Sequence, residues 1–336
     1  MTGFVTFGEI MLRLTPSSIG DKLLIADNFT VGYAGSESNV STSLACLGNQ
    51  VNFISKVPDN PLGNAALLWL NKFKVNTDKV LLGGNRMGIY FIELGASIRP
   101  SRVVYDRQMS AISEITVGEF DWKTILKDKA WLHLSGITPA LSKQCTEETI
   151  LAAKTAKEMG VKVSFDLNFR RTLWPDGDTA RTIFNRIIEH SDLIFANLGV
   201  LNDVYGLTFT EKDPLEQTKS AMQKASALFG VNQLAFTIRE HCSASENKLQ
   251  GMSFCNGEIT ISKSFSIEIQ DRFGTGDAFA AAYLHAISKA WEPNKAIEFA
   301  TSAFALKHTI KGDLHTSTEE EILSIMNGNI SGHVIR

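Results

Sequence analysis

Short apolar blocks alternate with stretches of helical spacing along most of this chain. Phe4–Phe7, Val51–Val57, Ala130–Leu134, Val161–Phe165, Leu193–Ala196 and Gln233–Ile238 have the continuous apolar character of strands buried on both faces. Between them, Val40, Leu44 and Leu47 form one helical face, which Gly48 ends. Pro61–Lys72, Thr146–Met159, Thr179–His190 and Pro214–Phe229 also carry helical spacing, and Gly160 stops the helix that ends at Met159. Pro293 starts a further helix, continued by Ile297, Ala300, Phe304 and Leu306, and Glu319–Met326 makes a last one. This alternation predicts an α/β fold with a mostly parallel central sheet flanked by helices.

Two regions break the pattern. Ile10–Val31 and Arg86–Asp106 lack helical period, and Tyr90, Ile92 and Leu94 alternate as in a strand. They predict antiparallel strands inserted into the α/β body as a small β lid, formed by about residues 10–34 and 86–110. No linker rich in Pro or Ser divides the chain, so residues 1–336 read as one domain.

Composition narrows the class. The chain has 336 residues, 44% hydrophobic and 21% charged, as in a soluble globular protein. A net charge of -3 without a basic run argues against nucleic acid as a partner. No apolar run has the length of a membrane span, and Met1 leads into a strand-like pattern without a secretory leader. Cys46, Cys145, Cys242 and Cys255 form no Cys-x-x-Cys pair, so no zinc site is expected, and they read as reduced thiols of a cytoplasmic protein.

The sharpest chemical pattern is Asp271-Arg272-Phe273-Gly274-Thr275-Gly276-Asp277. It follows the strand-like run Ile259–Ile269 and opens a helical stretch through Phe279, Tyr283, Leu284 and Ile287. A glycine-rich turn at a helix N-terminus gathers unpaired N–H groups that favour an anion. An aspartate there makes sense as a base, removing a proton from a hydroxyl while Gly274, Thr275 and Gly276 stabilise a phosphoryl group. An N-capping aspartate after a glycine turn would look the same in sequence.

Other polar stretches sit where a ligand could reach them. Gly32–Asn39 runs into the first helix, and on composition alone it reads as readily as a capped loop. Tyr105 and Arg107 end a lid strand, where the guanidinium could grip a carboxylate or simply face solvent. Asp166, Asn168 and Arg170 alternate beyond a buried strand, at the edge where open sheets bind ligands. Thr237 and Arg239 follow the next buried strand with groups suited to nucleotide phosphates.

These segments, in this order, resemble the PfkB/ribokinase family of carbohydrate kinases across essentially the whole chain. Gly274-Thr275-Gly276-Asp277 is similar to the family's C-terminal signature, with Asp277 as the base, and Gly35–Asn39 to its N-terminal one. The branch most resembled phosphorylates 2-keto-3-deoxygluconate. It is indicated by Arg86–Tyr90, Tyr105–Arg107, Asp166–Arg170 and Ala305–Asp313. The resemblance implies a ribokinase-like, Rossmann-like fold and ATP with Mg²⁺ as cosubstrate and cofactor. It implies that Gly35, Asn39, Tyr90, Tyr105, Arg107, Arg170 and Asp313 bind the sugar acid. Asn168, Asn197, Thr237, Arg239, Gly274 and Gly276 would bind ATP, and the lid would serve a homo-oligomer. Val200 stands where the family often has a magnesium-organising Glu, so the metal is expected to be held mainly by ATP phosphates and water, with no protein metal ligand.

Overall fold

The computed structural model describes residues 3–18 and 20–330. Met1, Thr2 and residues 331–336, which the single-domain reading includes, and Ile19, which the expected lid also includes, lie outside the described residues.

The large sheet has nine strands. Six are mutually parallel, in the spatial order Gln50–Ile54, Gly3–Phe7, Trp131–Ser135, Lys162–Asp166, Leu193–Ala196 and Gln233–His241. Glu246–Cys255 then pairs antiparallel with the last of these. Glu258–Ile261 and Phe265–Glu268 both pair antiparallel with Glu246–Cys255, so the strand-like run Ile259–Ile269 is two short strands.

Strand alternation distributes side chains to two cores. Phe4, Leu193 and Phe195 face one side, among Val40, Leu44, Phe279, Leu284, Phe299 and Phe304. Those come from the helices Ser36–Cys46, Thr275–Ser288 and Pro293–Lys307. Val5, Phe7 and Ile194 face the other side, with Ile150, Phe184, Leu201 and Met222. The helices there are Lys143–Glu158, Gly177–Ile188, Leu198–Tyr205 and Pro214–Phe229. Each buried Phe contributes about 1.5–3 kcal/mol by leaving water. No helix among the described residues is long and apolar enough to cross a membrane.

The lid is a separate four-stranded sheet, in the order Phe29–Ala34, Met11–Pro16, Ile89–Glu93, Arg102–Asp106. It corrects one expectation. The two hairpin-like pairs are antiparallel, but Met11–Pro16 and Ile89–Glu93 run parallel where the pairs join. The join is between segments far apart in sequence, so no short turn forces them to reverse. Register places Arg13, Tyr90 and Tyr105 in one row and Leu14, Phe91 and Val104 in the next, on opposite faces.

Candidate active site

The six parallel strands end at one edge, and the chemistry-bearing residues gather there. Glu9 follows strand Gly3–Phe7, Asn168 and Arg170 follow Lys162–Asp166, Asn197 follows Leu193–Ala196, and Thr237 lies in Gln233–His241. Two cavities open along this edge. A crevice of about 850 Å³ is lined by Asn168, Asn197, Thr237, Arg239 and the turn Gly274–Gly276. A recess of about 80 Å³ under the lid is lined by Gly35, Asn39, Tyr90, Tyr105, Arg107 and Asp313. Asn168, Arg170, Phe273, Gly274 and Asp277 line both. The structure thus brings together every residue expected from the sequence, divided between two adjoining spaces.

Asp277 stands at their junction. It is the third residue of the helix Thr275–Ser288, so the capping alternative does not apply. The N-cap is Gly274, at φ 69°, with no side-chain cap. A side chain at Gly274 would run into the carbonyl of Asp313, so only glycine fits this left-handed turn. The first intrahelical bond runs from the Ala278 N–H to Gly274 O at 3.0 Å, which leaves the N–H groups of Thr275, Gly276 and Asp277 as free donors.

The carboxylate of Asp277 is held from both sides. Ser36 Oγ donates to one oxygen at 2.8 Å and Asn39 Nδ2 to the other at 2.7 Å. Ser36 in turn accepts from Asn168 Nδ2 at 2.9 Å. Burial pushes the Asp277 carboxyl up to about 7; the two donors oppose this, and Asp166 and Asp313 reinforce it. A carboxylate with that pKa suits proton abstraction near neutral pH. Asn39 thus holds the Asp277 carboxylate while also lining the recess.

The recess is built from paired charges. Arg107 forms a buried ion pair with Glu9, whose other oxygen accepts from Ser110 Oγ at 2.6 Å. Arg107 is therefore not the free fork that the sequence suggests; its Nε is the buried donor left without a partner. Its guanidinium lies over Tyr105, which stacks on Tyr90. Asp313 pairs with Arg13, and Arg13 also reaches Asp271 at 2.7 Å. Burial pushes the Tyr90 phenol well up, with Asp313 adding to the shift, so it remains a neutral donor. Arg170 is exposed and takes no part in the ion pairs found among the described residues.

The crevice is different. Arg239 is half-buried, donates to Thr275 Oγ1 at 3.0 Å, and stacks on Phe304. Its Nε has no partner, and burial with Arg272 nearby pushes its pKa down to about 10. Asn197 caps the helix Leu198–Tyr205 by accepting the Val200 N–H. Val200 is packed into the core, and Asp203 pairs with Arg171.

Arg13 was not singled out in the sequence, and the pairings of Glu9, Ser36, Glu37 and Asp271 were not foreseen there. Glu37 is buried in the wall of the recess, accepts from Ser135 and Thr138, and is pushed up to about 6 by burial. The signal available was a carboxylate and hydroxyls inside a helix start that also carries Asn39; partners almost 100 to 300 positions away gave none.

The chain is similar to known proteins along its length. A curated relative from Haloferax volcanii, a 2-dehydro-3-deoxygalactonokinase, is 31% identical over 98% of this chain and 98% of its own. The crystal structure of a 2-dehydro-3-deoxygluconokinase from Thermotoga maritima is 41% identical, with TM-score 0.95, over 98% of this chain and 100% of that one. A ribokinase-type structure from E. coli, in complex with ATP and Mg²⁺, shares the fold at 19% identity and TM-score 0.77, over 97% and 99% of the two chains. The pfkB family of carbohydrate kinases matches residues 1–318, and the chain belongs to that family.

Proposed function

We propose that this carbohydrate kinase transfers the γ-phosphoryl group of ATP to the terminal hydroxyl of 2-keto-3-deoxygluconate. The observation that carries the proposal is Asp277, oriented by two donors at the wall shared by a nucleotide-sized crevice and a charge-lined recess. The sugar acid occupies the recess and ATP the crevice. Asp277 takes the proton of the terminal hydroxyl, and that oxygen attacks the γ-phosphorus in line. The N–H groups of Thr275, Gly276 and Asp277 stabilise the transferring phosphoryl group, and Arg239 steadies their turn through Thr275. Arg170, exposed beside Arg107 in the recess lining, holds the sugar carboxylate.

Kinases of this family use ATP with Mg²⁺. Among the described residues no group of three or more His, Cys, Asp or Glu forms a metal cage. The oxygen donors Asp166 and Asn168 in the crevice wall fit a hard cation held mainly by phosphates and water. They are the residues that would hold Mg²⁺, whose chemistry is to neutralise phosphate charge. Val200 needs no replacement for that role.

Two further readings accompany the main one. Val31, Leu14, Phe91 and Val104 align across the outer lid, with Val31 and Val104 more than half exposed, which supports pairing of two lids in a homo-oligomer. The free cysteines and ATP use fit a cytoplasmic enzyme. An ATP-consumption assay over sugar acids, their C4 epimers and neutral sugars tests the substrate. Preference for the 2-keto-3-deoxy acid is expected, and equal use of a neutral sugar such as fructose would refute it.

A further inference from the structure

Lys307 is the last residue of the helix Pro293–Lys307 and is fully buried. Its ammonium donates to two backbone carbonyls, Ile310 O at 2.9 Å and Gly312 O at 2.6 Å. A buried ammonium is expensive, and an apolar residue would fill the same space without that cost. The location gives the reason. The loop it closes, residues 308–313, is bonded along its length to the segment that carries the anion-binding turn. His308 O accepts the N–H groups of Gln270 at 2.8 Å and Asp271 at 3.2 Å. The Gly312 N–H donates to Asp271 Oδ2 at 2.9 Å, and Asp271 Oδ1 accepts the Phe273 N–H at 3.1 Å. Gly274 then packs directly on the Asp313 carbonyl. The chain of contacts runs from the ammonium to the donors that meet the phosphoryl group.

We propose that Lys307 is a positioning residue for phosphoryl transfer, a built-in monovalent cation whose carbonyl contacts lock the 308–313 loop against the Gly274–Asp277 turn. The two carbonyls converge on one point, where they repel each other unless a cation lies between them. The ammonium is that cation, permanently supplied because it is tethered. Burial pulls its pKa down to about 8, opposed by Asp271 and Asp313, so it stays mostly protonated at neutral pH. The same loop carries Asp313 into the sugar recess, so one cation sets the register of both halves of the site.

The inference rests on the phosphotransferase chemistry assigned to the turn, but not on which sugar is used. Lys307→Met keeps the length and removes the charge. Its kcat is expected to fall about 100-fold, as for a misplaced oxyanion donor, with KM for ATP changing far less. Amides of residues 271–277 should exchange with deuterium faster than in the parent, while those of the strand Leu193–Ala196 remain unchanged. This readout needs no substrate, so an error in the substrate assignment shows in the parent's activity and leaves the comparison intact. Lys307→Ala opens a carbonyl-lined hole that a free cation can enter. Ammonium or potassium should recover about tenfold of its rate, and the same ions should not accelerate the parent. If Lys307→Met does not fold, Lys307→Gln, which keeps N–H donors without charge, is read in the same way. A folded variant with parental kcat and parental exchange in the turn overturns the proposal. So does a rate loss that no cation restores and that comes with a uniform rise in exchange, since that is the mark of packing alone.

Discussion

The two cavities that meet at Asp277 are organised in opposite ways. Several charges lining the recess under the lid are already paired within the protein: Glu9 with Arg107, and Asp313 with Arg13 behind it. The crevice is more than ten times larger in volume, and its polar lining mixes amides and hydroxyls with charges of both signs, including the half-buried Arg239. Under the proposed function the difference follows from the ligands. A small sugar acid is distinguished from its relatives by a few contacts, so the groups making them are fixed in advance by mutual pairing. ATP carries its own charge and metal, and it needs room and donors more than partners.

The strongest test strikes the point shared by both sides. Asp277→Asn preserves shape and removes the base, so kcat is expected to fall about 10²–10⁴-fold with both substrates still binding. Calorimetry with each substrate beside a turnover assay checks this, and near-parental turnover would mean that the base lies elsewhere. The variant should also melt higher than the parent at pH 8. The folded pKa of about 7 is raised above the ordinary 3.8, so the stability linked to this proton is fully present below 3.8 and lost as pH rises through 7. The upper bound of the gain is about 4 kcal/mol.

Next in size is the contrast between two arginines of the sugar site. Arg107→Ala strands the buried carboxylate of Glu9 and should cost about 3–5 kcal/mol in stability, read as a drop in urea midpoint. Arg170→Ala breaks no pair and should leave the midpoint near that of the parent. It should instead raise KM for the sugar acid about tenfold to a hundredfold, the worth of a charged hydrogen bond, with KM for ATP little changed. If Arg107→Ala were as stable as the parent, the recess would not be preorganised by charge pairing.

The smallest effect is in the pH profile. Because burial lifts Asp277 to about 7, kcat/KM should rise with pH through that value, falling about tenfold for each unit well below it. Asp166 in the crevice wall, pushed up to about 6 by burial, titrates about a unit lower, so any pH dependence of ATP binding measured alone should be centred nearer 6 than 7. A flat profile from pH 5 to 9 would separate the rate-limiting step from proton removal by Asp277.

Elements with strong local punctuation were legible in the sequence. The helix Pro214–Phe229 opens on proline and ends at Gly230 in the left-handed region, and both bounds are those the spacing predicts. Glu319–Met326 is likewise marked, by a capping box from Thr318 and Glu321. Strand Leu193–Ala196 stands as an apolar block bounded by polar residues. Val51–Val57 was less legible: it divides into Gln50–Ile54 and Lys56–Val57, because the second piece leaves the large sheet to pair with Leu81–Leu82. In the site, Asp277 and its turn were readable because a glycine pattern at a helix start is a local requirement of the backbone.

The sequence by itself determined the alternation of strands and helices, the glycine turn and the residue types that handle phosphate and carboxylate. These depend on neighbours within a few positions, through backbone geometry and periodic burial. Only the tertiary structure decided that the lid is joined by a parallel pair, that Ser36 and Asn39 orient Asp277 from 241 and 238 positions away, and that Arg107 is already engaged by Glu9. A hydrogen bond or ion pair between distant residues leaves no periodic trace. It is selected by the closeness of two side chains after the sheet has assembled, and by the cost of burying either one alone.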